Sequence, residues 1–255
     1  MAHDGISAMK ILFYDIEKSP HLMAGYRLYD QNFSQKQIAQ HGFLICFSYC
    51  WEGEKIRSVS VLDDPKRYKK NHADDYYVVM KLSALIDSAD AIVAHNGDKF
   101  DYKELMARIA YHRLPPIKKP ILIDTLKMAR QFGFTSRKLD DLAEHLGLPR
   151  KIHTDTDLGK RVAMGDRKAV HEMVNYCRAD IPPLVALYER LKPYVGDNLN
   201  RGHYKNGECC PKCGSESFQK RGYRHTKAGK YQSYQCMECF GWFSSKNSIR
   251  NVVMR

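Results

Sequence analysis

Five side chains in this sequence have the types and spacing to do phosphodiester chemistry together. Asp15 and Glu17 end the apolar segment ILFYDIE, Asp101 ends AHNGDKFD, and Tyr176 and Asp180 lie four apart in YCRAD. On a strand, residues two apart leave the same face. On a helix, residues four apart share a face. Carboxylates gathered in one place repel and raise one another's pKa. Mg²⁺ or Mn²⁺ resolves that conflict, because hard cations prefer oxygen ligands. Two such ions roughly 4 Å apart hydrolyse phosphodiesters: one acidifies the attacking water, the other stabilises the leaving 3′-oxygen. The Tyr176 hydroxyl could hold that water or the scissile phosphate. Taken singly, each residue has a plainer reading. Asp15 and Glu17 would solubilise a strand end, and Asp101 would be a first-turn acid favoured by the helix dipole. Tyr176 would be a core aromatic with a wet hydroxyl. Asp180 precedes Ile181-Pro182-Pro183, where a helix is expected to end or kink, so it would cap the next one. Their joint occurrence in this order favours the metal site.

The elements that must position these groups are readable as apolar runs. Residues 10–16 (KILFYDI), 43–50 (FLICFSYC), 56–62 (IRSVSVL), 91–94 (AIVA) and 121–123 (ILI) predict strands. The second and third are joined by the turn-like Glu52-Gly53-Glu54. Helical spacing runs through 75–88, from about Phe100 to His112, and through Leu139–Leu146, closed by Gly147. Asp166 is placed to cap a further helix. Strands first, then helix–strand alternation, predict an α/β fold: a mixed sheet flanked by helices. The expected organisation is an extension over 1–9, a catalytic-type domain over 10–194, a polar linker over 195–208 and a small domain over 209–255.

The small domain is marked by two C-x-x-C pairs, Cys210/Cys213 and Cys236/Cys239, separated by 22 residues. This spacing predicts a tetrahedral four-thiolate Zn²⁺ site, structural because it leaves no open position. About fifty residues build little core, and zinc would replace it. Cys209 is spare, since only Cys210 gives the two-residue spacing. A redox role for the pairs is the alternative, without thioredoxin-like surroundings to support it. Around the pairs lie Lys220, Arg221, Arg224, Lys227 and Lys230 with Tyr223, Tyr231, Tyr234, Trp242 and Phe243. Cations neutralise phosphates and aromatics stack on bases. The alternative is that the aromatics form a tiny core and the cations solubilise it.

Charge agrees with a polyanionic partner. The formal net charge is +12, and residues 201–255 hold eleven Lys/Arg against three Asp/Glu. No run approaches a transmembrane helix, and the start lacks the pattern of a secretory signal. Cys46, Cys50 and Cys177 sit among apolar residues and read as buried thiols. A reduced, cytoplasmic setting is the simplest expectation.

The quoted motifs carry a family likeness. The chain resembles the DEDD exonucleases of the ribonuclease H-like superfamily, in the subclass with tyrosine in its last motif. Proofreading domains of family-B DNA polymerases belong there. Asp15-Ile16-Glu17 resembles the first motif, Asn96-Gly97-Asp98-Lys99-Phe100-Asp101 the second, and Tyr176-Cys177-Arg178-Ala179-Asp180 the third, over about residues 10–192. The resemblance implies a 3′→5′ exonuclease with Asp15, Glu17, Asp101 and Asp180 as Mg²⁺/Mn²⁺ ligands. Glu17 would also meet the terminal 3′-hydroxyl, Tyr176 would position the water, and Asn96 and Phe100 would shape the groove. It implies DNA in preference to RNA. An RNA-trimming exonuclease, a structure-selective endonuclease and a non-catalytic nucleic-acid-binding protein are the alternatives. Lys18 departs from the small hydroxyl residue often found there, and the doubled proline after Asp180 is a second departure. His95 is expected to pack beside the second motif. Asp124 is expected either to assist the site or to cap a helix. The cysteine module resembles zinc ribbons of nucleic-acid enzymes and transcription factors.

Overall fold

The computed structural model describes residues 9–27, 32–150, 157–196, 199–205 and 207–251. The expected extension before Met9 lies outside them. Contacts divide the chain into two compact units, one of Lys10–Lys127 with Phe134–Leu187, the other gathering Met128–Gly133 and the chain from Tyr188 onward.

The larger unit is built on five strands: β1 (Ile11–Lys18), β2 (Leu44–Trp51), β3 (Arg57–Ser60), β4 (Ala91–Ala94) and β5 (Ile121–Asp124), in the order β3-β2-β1-β4-β5. β1 pairs antiparallel with β2, setting Asp15 opposite Ser48 and Glu17 opposite Cys46. It pairs parallel with β4 from Ile11/Ala91 to Phe13/Val93. β2 and β4 are buried almost throughout, the signature of strands covered on both faces. The helices are α1 (Pro65–Lys70), α2 (Tyr76–Asp87), α3 (Asp101–Tyr111), α4 (Thr125–Ala129), α5 (Leu139–Leu146), α6 (Leu158–Ala163) and α7 (Arg167–Leu191). The last turn of α7 and the end of α4 fall in the other compact unit. α5 ends where Gly147 takes the left-handed conformation, φ 64°.

Three differences from the sequence reading have local causes. β1 continues through Lys18, so Asp15 and Glu17 stand within the strand. The run 56–62 yields a strand only to Ser60, because the Ser60 hydroxyl accepts from Leu62 N–H and the Asp63 carboxylate accepts from Ser60 N–H, closing a 3₁₀ turn. The helix expected to end or kink at Ile181-Pro182-Pro183 continues as α7 to Leu191. Prolines 182 and 183 donate no N–H to the carbonyls of Arg178 and Ala179. Burial of Ile181, Leu184 and Leu187 compensates for those two absent bonds.

The smaller unit contains an antiparallel sheet of β6 (Phe218–His225), β7 (Gly229–Cys236), β8 (Trp242–Ser244) and β9 (Arg250–Asn251), each of the others pairing with β7. The stretch expected to be a linker includes a 3₁₀ turn, Arg201–Tyr204. Among the described residues no helix is long and apolar enough to cross a membrane.

A buried ionic knot pins the larger unit. Asp75, fully buried, accepts from Arg108 Nη2 at 2.6 Å and Nε at 2.7 Å, from Leu44 N–H at 2.9 Å, and lies 2.5 Å from His112 Nε2. It joins the start of α2 to α3 and to β2. Removing one partner of a buried pair strands the other. Asp75→Ala is therefore expected to cost about 3–5 kcal/mol, read from urea unfolding followed by circular dichroism. A loss below about 1 kcal/mol would mean the knot is replaceable by water.

Candidate active site and metal centres

β1 outruns its parallel neighbour. β4 ends at Ala94 and pairs with β1 only as far as Phe13, so Asp15–Glu17 project past it. α7 supplies the facing carboxylate. One oxygen each from Asp15, Glu17 and Asp180 lie within 4.8 Å of one another, Asp180 buried and the other two half-buried. A small octahedral cation with bonds near 2.1 Å spaces its ligand oxygens about 3–4 Å apart. The triad fits such an ion after a slight contraction.

Asp101 stands beside this triad. It opens α3, is 4% exposed, and its Oδ1 accepts from Ile16 N–H at 3.4 Å, between Asp15 and Glu17 on the strand. That hydrogen bond uses the backbone edge β4 leaves unpaired. Burial pushes the Asp101 carboxyl up to about 7, against the lowering effect of its own and Ile16's N–H, and Asp124 adds to the rise. Tyr176, one turn before Asp180 on α7, is half-buried against the core.

The turn that delivers Asp101 is fastened by polar contacts. Asn96 adopts φ 66°, a conformation asparagine tolerates better than most residues. Its N–H donates to Asp124 Oδ1 at 2.8 Å, and Leu126 N–H donates to the same oxygen at 2.9 Å. Asp124 thus holds this turn and the start of α4 together, beyond the capping role considered from sequence. A Cβ at Gly97 would meet the Ala94 Cβ at 2.5 Å, so only glycine fits there. Phe100 is 44% exposed at the start of α3. His95 donates from Nε2 to the Arg137 carbonyl at 3.0 Å, and its Nδ1 lies 2.9 Å from Thr125 Oγ1. It ties three segments together beside the second motif.

Sequence reasoning missed two contacts at the carboxylates. The Cys177 thiol donates to the Asp15 carbonyl at 3.4 Å and to Asp15 Oδ2 at 3.6 Å. Burial raises the Cys177 pKa well above the ordinary thiol value, which keeps the proton that this contact needs. The neighbouring Cys46 is raised for the same reason. The odd Lys18 donates to Glu104 on α3 at 2.7 Å, so its charge is spent within the protein. No local sequence pattern announces either contact, since the partners lie far apart in the chain.

In the smaller unit Cys210, Cys213, Cys236 and Cys239 place their sulfurs within 4.8 Å of one another. Cys210 and Cys239 sulfurs are 3.8 Å apart, Cys213 and Cys236 sulfurs 3.5 Å. A tetrahedral ion with metal–sulfur bonds of about 2.3 Å requires sulfurs about 3.8 Å apart. The four cysteines fit a zinc ribbon. Cys236 feels burial, yet the backbone N–H groups of Cys239 and Glu238 bring its thiol down to about 7. Cys209 lies outside this group. Lys220, Arg221 and Arg224 are exposed along β6, Lys227 is exposed in the following turn, and Lys230, second in β7, has its Nζ 3.8 Å above the Tyr223 ring.

Comparison with known proteins agrees with this architecture. The pattern of the RNase_H superfamily matches residues 35–192. The match includes Asp101, Tyr176 and Asp180, and begins after Asp15 and Glu17. Among solved structures, the family B DNA polymerase from the hyperthermophilic archaeon Pyrobaculum calidifontis is similar, with 14% identity and a TM-score of 0.54. The alignment covers 73% of this chain and 25% of that one, so the chain spans about a quarter of the polymerase's length. No curated protein matches the chain in sequence. The mixed five-stranded sheet flanked by helices is ribonuclease H-like, as expected, and the small strand domain with its cysteine cluster stands apart from it in sequence.

Two measurements check these centres. Asp101 is protonated more readily folded than unfolded, so its contribution to stability is complete below about pH 4 and is lost as pH rises through about 7. In metal-free protein Asp101→Asn is therefore expected to raise the melting temperature at pH 8 and leave it little changed at pH 4. A lower melting temperature at pH 8 would contradict this. Purified protein should carry one tightly held zinc per chain by elemental analysis, and Cys236→Ser should lose it. Zinc retained at full stoichiometry in that variant would remove Cys236 from the ligand set.

Proposed function

This chain belongs to the RNase_H superfamily, and from that premise we propose that it is a metal-dependent 3′→5′ exonuclease acting on DNA. The observation that carries the reading is the meeting of Asp15, Glu17 and Asp180, from opposite ends of the larger unit, within 4.8 Å. Three carboxylates so close are costly without cations. The chain's likeness in fold to a DNA polymerase supports a nucleic-acid substrate.

In this reading Asp15, Glu17, Asp101 and Asp180 hold two Mg²⁺ or Mn²⁺ ions. When bound, the ions supply an acidified water and neutralise charge on the scissile phosphate. Tyr176 orients the water through its hydroxyl. Glu17 receives the 3′-terminal hydroxyl, and Asn96 and Phe100 border the strand that carries it. Asp101, whose carboxyl burial raises to about 7, would hold a metal in its deprotonated form. The thiol of Cys177 steadies Asp15 from behind. Residues 10–194 form the nuclease domain. Over 209–255, Zn²⁺ on the four cysteines is structural, and Lys220, Arg221, Arg224, Lys227 and Lys230 contact phosphates. The buried thiols Cys46, Cys50 and Cys177, none of them in a disulfide, suit a reducing, cytoplasmic setting.

The test is cleavage of 5′-labelled DNA and RNA, single- and double-stranded, with Mg²⁺, Mn²⁺ or EDTA. The expected outcome is a ladder of DNA fragments shortening from the 3′ end, absent in EDTA. Asp15→Ala should lower the rate by more than the about 10–100-fold typical of changes behind metal ligands. Internal cuts, or a preference for RNA, would replace this reading by an endonuclease or an RNA-trimming enzyme. Binding with no cleavage under any condition would leave a nucleic-acid-binding protein.

A further inference from the structure

The zinc-ribbon sheet has two unlike faces. Antiparallel partners project to the same side, and the register sorts the side chains. Phe218, Lys220, Tyr234 and Phe243 share one face, because Lys220 lies opposite Tyr234 and Phe243 lies opposite Tyr234 on the other flank. The register shifts between Lys220 and Tyr223, where Gly222 takes φ 73°. One extra residue on a bulged strand resets its alternation. It brings Tyr223, opposite Gln232, to that same face with Lys230. The 3.8 Å contact of Lys230 Nζ with the Tyr223 ring agrees with this placement.

The rings form a wall. Tyr234 and Phe243 stack at 5.4 Å with an interplanar angle of 18°, and Phe218 meets both edge-on at 5.4 and 5.5 Å. All three are only half-buried. They border a cavity of about 460 Å³ that His203, Lys246 and Asn247 also line. Aromatics that served only to fill the ribbon would be closed over. These leave open a space within the about 300–1,000 Å³ typical of small-ligand sites. Flat rings beside hydrogen-bonding side chains, on a segment with eleven cations against three acids, match a planar, polar-edged base on an anionic strand.

We infer that this aromatic face is a base-stacking site that selects single-stranded nucleic acid, with one unpaired base entering the cavity and its flanking phosphates meeting Lys220, Lys230 and Lys246. A duplex keeps its base faces within its own stack and cannot offer one. The inference rests on the reading above that the substrate is nucleic acid, but it assigns work to side chains outside the carboxylate site. Stacking of a base on an aromatic changes affinity by roughly 5- to 150-fold.

The test uses the zinc-loaded full chain without added Mg²⁺ or Mn²⁺. Fluorescence anisotropy compares a labelled twelve-residue oligothymidylate, an abasic strand of equal length and a twelve-base-pair duplex. The oligothymidylate is expected to bind at least tenfold more tightly than the other two. A strand carrying 2-aminopurine should lose fluorescence on binding, the mark of stacking. Tyr234→Leu and Phe243→Leu should abolish the preference over the abasic strand, while zinc content and salt dependence are kept. Tyr234→Phe, which keeps the ring, should keep the preference. Lys227→Ala should weaken all three probes alike. Equal binding of abasic and base-bearing strands overturns the inference and leaves phosphate contacts alone. Preference for the duplex, or no binding of any probe, overturns it as well, the last pointing to a protein partner. Loss of zinc in both leucine variants leaves the decision to the 2-aminopurine signal and Tyr234→Phe. Cleavage with Mg²⁺ is scored separately, so an inactive protein that binds as expected sinks the exonuclease reading and not this one.

Discussion

Like charges are held together here by the fold, and most of the larger unit can be understood from that requirement. Asp15 and Glu17 are fixed by a central strand whose neighbours on both sides bury it. Asp180 is fixed by a helix whose apolar residues Met173, Cys177, Ile181 and Leu184 are packed away from water. The early end of β4 then opens the one backbone edge that Asp101 uses. Shortening a strand by a few residues thus gathers carboxylates at an edge inside the sheet. A folded core of this size offsets the repulsion of a few carboxylates through many small burial terms.

Around the carboxylates, polar groups act as fasteners. Asp124 receives two backbone N–H groups, His95 bridges Thr125 and the Arg137 carbonyl, Lys18 is bound to Glu104, and the Cys177 proton is shared with Asp15. Further away Asp75 gathers α2, α3 and β2. Each such group costs desolvation and recovers it through defined geometry. Their placement explains how a turn with a left-handed asparagine keeps a single shape.

The clustered carboxylates were legible in the sequence by their spacing: Asp15 and Glu17 stand two apart in an apolar run, Asp180 follows Tyr176 by one helical turn, and Asp101 opens α3. Apolar runs locate β1 and β4, and helical periodicity locates α3 and α5, almost to the residue. Short pieces escaped, since α1, α4 and α6 span too few turns to show a period. The alternative in which a helix ends at the proline pair gave way to packing that only the folded chain reveals. Phe218 drew no attention, although it completes the aromatic wall. Its partnership depends on cross-strand register, which cannot be counted off along a single strand. Asp75 looked like an ordinary helix start, because its partners Arg108 and His112 come from a different helix.

The prolines that failed to stop α7 have a mechanical side. Asp180 lies in the stretch of helix whose carbonyls at Arg178 and Ala179 receive nothing from positions 182 and 183. Elsewhere in a helix, tilting one turn stretches bonds that resist. Here the rod is softest next to Asp180, and helices bend at such points. The three oxygens, within 4.8 Å of one another, thus join a strand paired on both sides to a stretch of helix with room to flex.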